Sequence, residues 1–314
     1  MKTIYLLLFT LIITLVSCQK DFEITDNVVT NVSTADTSAK ILLKRFIQLD
    51  TTLTAPNDTM FIADYFYDDR KRCVRIVNYN LQDPANKDTF TVYNFYNGTD
   101  TNISVRKVYS IREDASRTTD TLIKVFTYNG DGSLLSDSST VYGQQNGAPL
   151  FYKRKRIYQP TASGILAVDF NIAPYYKVNY VIQKDANRNI TYQLDSAFLQ
   201  DVSTGVFILK GAVVNTCTYD THPNPLYNVA QKIPVLNDWD NEPDFSPGGG
   251  FRNNLLTQYK NVTAGSSMGG NIFAQYRYQY DKNGYPVIAR YQEAVSPNAV
   301  PNAFSKYLFI YQEL

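Results

Sequence analysis

Tyr276 to Arg290, YRYQYDKNGYPVIAR, is the stretch that most narrows what this chain can fold into. Tyr276, Tyr278 and Tyr280 alternate with Arg277 and Gln279, the two-residue period of a strand with one apolar and one wet face. Asp281-Lys282-Asn283-Gly284 then supplies turn chemistry. Gly284 is free to take positive φ, and the Asp281 carboxylate can accept from the turn backbone. A second apolar run, Val287 to Tyr291, completes a β-hairpin.

The same order of aromatic strand, Asp/Asn/Gly turn and return strand recurs upstream. Tyr65-Phe66-Tyr67-Asp68-Asp69 leads to Arg72-Cys73-Val74-Arg75-Ile76, and Phe126-Thr127-Tyr128-Asn129-Gly130-Asp131-Gly132 leads to Leu134-Leu135. A weaker copy runs from Tyr180-Val181-Ile182 through Lys184-Asp185-Ala186-Asn187 to Ile190-Thr191-Tyr192. The irregular spacing excludes a regular solenoid or propeller. Strands are expected at 41–49, 89–96, 104–111, 122–128, 150–158, 177–182, 190–198, 206–219, 271–280, 287–292 and 305–311, and no segment carries a long helical stripe. The predicted fold is all-β, a mainly antiparallel meander forming a curved sheet or barrel-like roll over residues 41–314.

The hairpins resemble the tyrosine-aspartate (YD) repeats of large bacterial shell proteins. More closely, residues 41–314 resemble a family of Bacteroidota lipoproteins of unknown function with loosely YD-like hairpins, and Asn224-Pro225-Leu226-Tyr227 and Asn253-Asn254-Leu255-Leu256 match features of that family. The resemblance implies a fold and carries over no catalytic residue.

Residues 1–17 read as a targeting segment, with Lys2 as the charged start and an apolar run from Ile4 to Val16, too short to span a bilayer. Leu15-Val16-Ser17-Cys18 resembles the lipobox of bacterial lipoproteins. That resemblance implies cleavage before Cys18, acylation of its thiol and a membrane partner reached through the lipid. Gln19-Lys20-Asp21-Phe22-Glu23 resembles the acidic signal linked in Bacteroidota with the outer leaflet, though Phe22 interrupts it, and an ordinary solvated linker reads equally well. The implied address is the outer membrane, at the cell surface, or alternatively its periplasmic face. Thr, Asn, Ser and Asp dominate from Asp26 to Ala39, so 18–40 is expected to be a flexible tether.

Lys+Arg 30 against Asp+Glu 29 gives a formal charge of +1, so no global field steers the chain to nucleic acid. The 25 Tyr and 17 Phe suit half-buried sheet faces with wet tips. The basic run Lys153-Arg154-Lys155-Arg156 falls within a strand and is expected to be an exposed, edge-protecting or cross-strand charge set.

A long interruption at 221–270 carries five prolines, Gly248-Gly249-Gly250 and the single Trp, Trp239. Loops of this size are functional or disordered, and this one is either a binding site or a lid over one sheet face. Its candidate ligand-binding residues are Trp239, Asp238, Asp240 and Tyr227. Asp238, Asp240, Glu242 and Asp244 alternate, yet their spacing is not that of an EF-hand, so no metal is expected. The glycine run lacks the lysine of a phosphate loop, and no cofactor is expected. His222, the single histidine, lacks a Gly-x-Ser-x-Gly elbow and reads as structural or exposed. Cys73 and Cys217, left over once Cys18 is acylated, either pair as a disulfide or are separate buried residues.

The functional expectation is a surface-tethered lipoprotein, non-enzymatic, binding a glycan or an envelope protein through 221–270. The alternatives are a glycan hydrolase using carboxylates of that segment, and a structural or assembly lipoprotein pairing through a sheet edge.

Overall fold

The computed structural model describes residues 41–51, 58–81, 88–111, 120–145, 148–161, 164–171, 176–227, 251–262, 270–301 and 303–312. The strands follow one another as β1 (Leu42–Asp50), β2 (Thr59–Tyr67), β3 (Cys73–Asn80), β4 (Asp88–Tyr96), β5 (Ile103–Ile111), β6 (Asp120–Tyr128), β7 (Leu134–Gln145) and β8 (Ala148–Thr161). They continue as β9 (Gly164–Asn171), β10 (Tyr176–Lys184), β11 (Ile190–Gln200), β12 (Phe207–Pro223), β13 (Asn253–Val262), β14 (Ile272–Tyr280), β15 (Pro286–Ala294) and β16 (Ala303–Gln312). Each pairs antiparallel with its successor, and β1 pairs with β16, so the expected meander closes into a barrel. Closure leaves no unpaired sheet edge, the feature that invites edge-to-edge association.

Two strands were not expected. β9 lies between two Tyr-rich hairpins, and β13 falls inside the stretch read as an insertion, so the segment between β12 and β13 is only 224–252. The short connections β2–β3, β6–β7, β10–β11 and β14–β15 share one end of the barrel with the start of β1 and the end of β16. We call it the turn end.

Four turns there are built alike. The residue that opens each one, Asp68, Asn129, Asp185 or Asp281, donates its N–H to the carbonyl four residues on, at 2.8–3.0 Å. Its own carbonyl accepts from the N–H three residues on, at Lys71, Gly132, Arg188 or Gly284. That third residue has positive φ in all four, 65°, 79°, 69° and 78°. Glycine adopts this conformation freely and branched or long side chains do not.

The tyrosines have a second repeated role. Tyr67, Tyr96, Tyr128, Tyr219, Tyr278 and Tyr311 each donate a hydroxyl hydrogen bond of 2.7, 2.9, 2.7, 2.7, 2.9 and 2.6 Å to a carbonyl at the start of the preceding strand: Leu43, Cys73, Ile103, Ile190, Leu255 and Pro286. The ring thus covers the core while the hydroxyl satisfies a backbone group at the strand end, where the ladder runs out.

Register sorts side chains into an inner and an outer face. Inside, Phe46 stacks on Tyr307 at 5.4 Å and meets Phe309 edge-on at 5.3 Å, with Tyr276 against Tyr291 at 5.1 Å. Phe46, Lys124, Arg156, Ile182 and Gln193 are all below 2% exposed, so side chains close the interior to water at these positions. Outside, Arg277 pairs with Arg290 and Arg290 with Lys306, a row of cations near the middle of three neighbouring strands. Gln275 and Gln292 join by a 2.6 Å hydrogen bond on the same face.

The basic run on β8 is divided by the pleat. The exposed and the cross-strand readings each hold for part of it, and closure leaves no edge to protect: Lys153 and Lys155 are exposed, while Arg156 is fully buried and faces Asp137 across the β7–β8 register at 3.9 Å. A period of two sends alternate residues of any run to opposite faces. Nor do the cysteines bridge. Cys73 on β3 and Cys217 on β12 are both free and buried, and burial pushes each thiol up to about 12.

Candidate functional site

The segment between β12 and β13 enters and leaves at the turn end, and its described ends are pinned there. Asn224 N–H donates to Arg252 O at 2.9 Å, and Asn224 Oδ1 accepts from Leu226 N–H at 2.9 Å. Leu226 and Phe251 join the buried core, plugging this end of the barrel. Asn189, the last residue of the β10–β11 turn, exchanges hydrogen bonds with Asn253: Nδ2 to Oδ1 at 2.9 Å, and Asn253 N–H to Asn189 Oδ1 at 3.1 Å. The turn and the exit of the segment therefore hold each other in place.

Beside them, Asp220 is a structural hub. Its Oδ1 accepts from His222 N–H and Asn254 N–H, both at 3.0 Å, and its Oδ2 accepts from Asn254 Nδ2 at 3.0 Å and from the Tyr280 hydroxyl. His222 stacks on Tyr280 with ring centroids 4.0 Å apart. The histidine thus packs a hairpin junction, in line with its expected structural role.

Between the plug and the β6–β7 and β10–β11 turns lies a cleft of about 370 Å³, within the range of small-ligand sites. Tyr128, Tyr158, Tyr227 and Phe251 give it aromatic walls, and Lys184 and Arg188 bring two cations to it. Lys184 is exposed by surface area yet hemmed in by the cleft walls; this desolvation, and then the charge of Arg188, lower its pKa to about 8. Asp131, on the β6–β7 turn, is the carboxylate of the described lining. The hydrogen bonds from Ser133 hold it below its usual range, and Arg188 adds to the effect.

Of the residues singled out in the sequence, Tyr227 lines the cleft, while Trp239, Asp238 and Asp240 lie outside the described residues. Among the described residues no group of His, Cys, Asp and Glu could hold a metal ion. Lys184 and Arg188 were missed, although the signal was present: the copy that contains them has lysine where its three sisters have tyrosine.

No protein-family model matches the sequence, and no curated protein matches it. Among solved structures, the chain is similar to a porin-like protein from Bacteroides vulgatus ATCC 8482, with a TM-score of 0.47 at 10% identity over 87% of this chain and 100% of that one. A porin-like protein from Bacteroides uniformis ATCC 8492 aligns with a TM-score of 0.25 at 12% identity, over 67% of this chain and 96% of its own.

Proposed function

We propose that this protein is a water-facing barrel, tethered to the outer membrane by an acylated Cys18, that binds a ligand or partner at its turn end and does not conduct solute. The wall carries this reading. A membrane-spanning barrel presents an apolar band to lipid, where each Arg or Lys at mid-depth costs about 2–4 kcal/mol. Here Arg277, Arg290 and Lys306 are aligned on the outer face near mid-strand, and Lys153 and Lys155 are exposed on the opposite part of the wall. Apolar side chains fill much of the inside instead. With neither a lipid-facing band nor an open lumen at these positions, function falls to the ends of the barrel.

The cleft is the site this reading favours. Its described lining holds a single carboxylate, Asp131, and glycoside hydrolysis uses a pair, so binding is proposed in place of catalysis. The start of β1 lies at the turn end, the end that carries the cleft.

The test is fractionation of the native chain and its Cys18→Ala variant. The parent is expected in the detergent phase and the variant in the aqueous phase, folded and monodisperse without detergent. A variant that still partitions into membranes and forms channels in planar bilayers would mean that the wall itself is lipid-facing.

A further inference from the structure

Four hairpins at the turn end share one five-residue turn, and three of them place tyrosine immediately before it. Tyr67, Tyr128 and Tyr280 pair with Cys73, Leu134 and Pro286 across the turn, and the residue in the same register in β10 is Lys184, opposite Ile190. The positive-φ position departs as well. It is glycine at 132 and 284, but Arg188 in this hairpin, held at φ 69°. Both departures in the β10–β11 hairpin line the cleft.

Each departure works against the fold. A long side chain in the left-handed region costs backbone energy that glycine avoids. Two cations side by side repel one another. Lysine also gives up the ring and the hydroxyl hydrogen bond of the sister hairpins, made to a backbone carbonyl by Tyr67 and Tyr128 and to the Asp220 carboxylate by Tyr280. Lys71, the other non-glycine at a positive φ among the described residues, shows that the position alone does not make a site: its hairpin keeps Tyr67, and neither residue lines the cleft.

We infer that the β10–β11 hairpin is specialised as an anion subsite, and that the cleft takes an acidic saccharide bearing a carboxylate or a sulfate ester. This rests on the binding role proposed above for the turn end. The Arg188 guanidinium offers a planar fork of donors that matches the oxygens of either anion, and the Lys184 ammonium adds a point charge. Tyr128 and Tyr227, both half-buried, supply ring faces for the apolar side of a sugar. Asp131 on the facing turn can accept from sugar hydroxyls, and leaves the three charged groups with a net positive charge.

The sister hairpins also supply the test, because they show a sequence compatible with the same turn. Lys184→Tyr/Arg188→Gly restores the sister residues at both positions. Binding is measured by calorimetry on the mature chain with Cys18→Ala, using digalacturonate, N-acetylglucosamine 6-sulfate and neutral lactose at low salt. The parent is expected to bind at least one acidic sugar more than 10-fold tighter than lactose, and the double variant to lose that preference while melting at or above the parent temperature. Digalacturonate alone would identify the carboxylate as the recognised group, and the sulfated sugar alone the sulfate ester. Lys71→Gly, in the sister turn away from the cleft, is expected to leave affinity unchanged. Equal affinity for acidic and neutral sugars, no binding of either acid, or an undiminished preference in the folded double variant each overturns the inference. None of these outcomes bears on membrane partition, which tests the tethered-barrel reading separately.

Discussion

The inside of this barrel is two materials. From β14 round to β2 it is aromatic: Phe46, Tyr65, Tyr276, Tyr307 and Phe309 are buried against one another. From β5 to β8 buried charges are set among Val108, Phe126, Val141 and Tyr158. Arg106, Lys124, Asp137 and Arg156 are all at most 4% exposed, with Asp137 facing Lys124 at 3.7 Å and Arg156 at 3.9 Å and accepting from the Tyr158 hydroxyl at 2.6 Å. Arg106 donates to Asn94 Oδ1 at 2.8 Å, and burial lowers its pKa to about 10. The aromatic half is held by area removed from water, which tolerates small shifts. The charged half is held by geometry, because a buried charge is stable only with its partners in place.

Removing one member from each half should expose that difference. Asp137→Ala takes away the carboxylate that both Lys124 and Arg156 face, and is expected to cost about 3–5 kcal/mol. Phe46→Ala leaves a cavity of similar cost, about 3–5 kcal/mol. The two separate under repair: Phe46→Leu should recover much of its loss, while Asp137→Leu, equally apolar and better filling, should recover little. Urea midpoints read the outcome, and equal recovery at both sites would erase the distinction.

A smaller effect belongs to the turn of the aromatic half. Gly284 has φ 78°, and a Cβ there would lie 3.2 Å from His222 Cδ2. Gly284→Val should destabilise by roughly 1–3 kcal/mol through backbone strain and the displaced imidazole. Lys282→Ala, exposed in the same turn, should stay within about 0.5 kcal/mol. Matching urea midpoints for Gly284→Val and the parent would mean that the turn relaxes without cost.

A different kind of effect is a pH slope. Asp195 on β11 accepts a 2.7 Å hydrogen bond from Gln193 Nε2, and burial raises its pKa to about 7 against the ordinary 3.8. Between those values the unfolded chain releases a proton that the folded chain keeps. Stability contributed by this group therefore falls as pH rises from about 4 to about 7, and is flat above. Asp195→Asn should flatten the melting temperature over that window. A variant with the parent's slope would assign it to another group.

Much of the aromatic half was legible in the sequence, and little of the charged half was. Alternating tyrosines and the Asp281-to-Gly284 turn declare a strand, a face and a positive φ locally, and β14, β15 and Gly284 follow them. The sequence left a curved sheet and a barrel-like roll open, because the β1–β16 pairing that decides for the barrel joins residues at opposite ends of the domain. β13 was hidden by its opening Asn253-Asn254, polar residues buried only because Asn189, Asp220 and the His222 carbonyl bond them across the fold. The four-residue basic run looked uniform until the pleat separated Arg156 from Lys155. At the cleft, Tyr227 was singled out from its loop, whereas Lys184 and Arg188 stand out only when four hairpins are compared position by position.

The central claim is that the wall faces water and the interior does not. Spin labels placed singly at Gln275 and Gln279 on the outer face of β14, and at Ala274 on its inner face, measure this in the lipid-anchored protein in membranes. Collisions with a polar nickel chelate should be frequent at Gln275 and Gln279 and rare at Ala274, and oxygen should show no preference for the outer sites. High oxygen collision with exclusion of the chelate at Gln275 and Gln279 would place the wall in lipid and contradict the account.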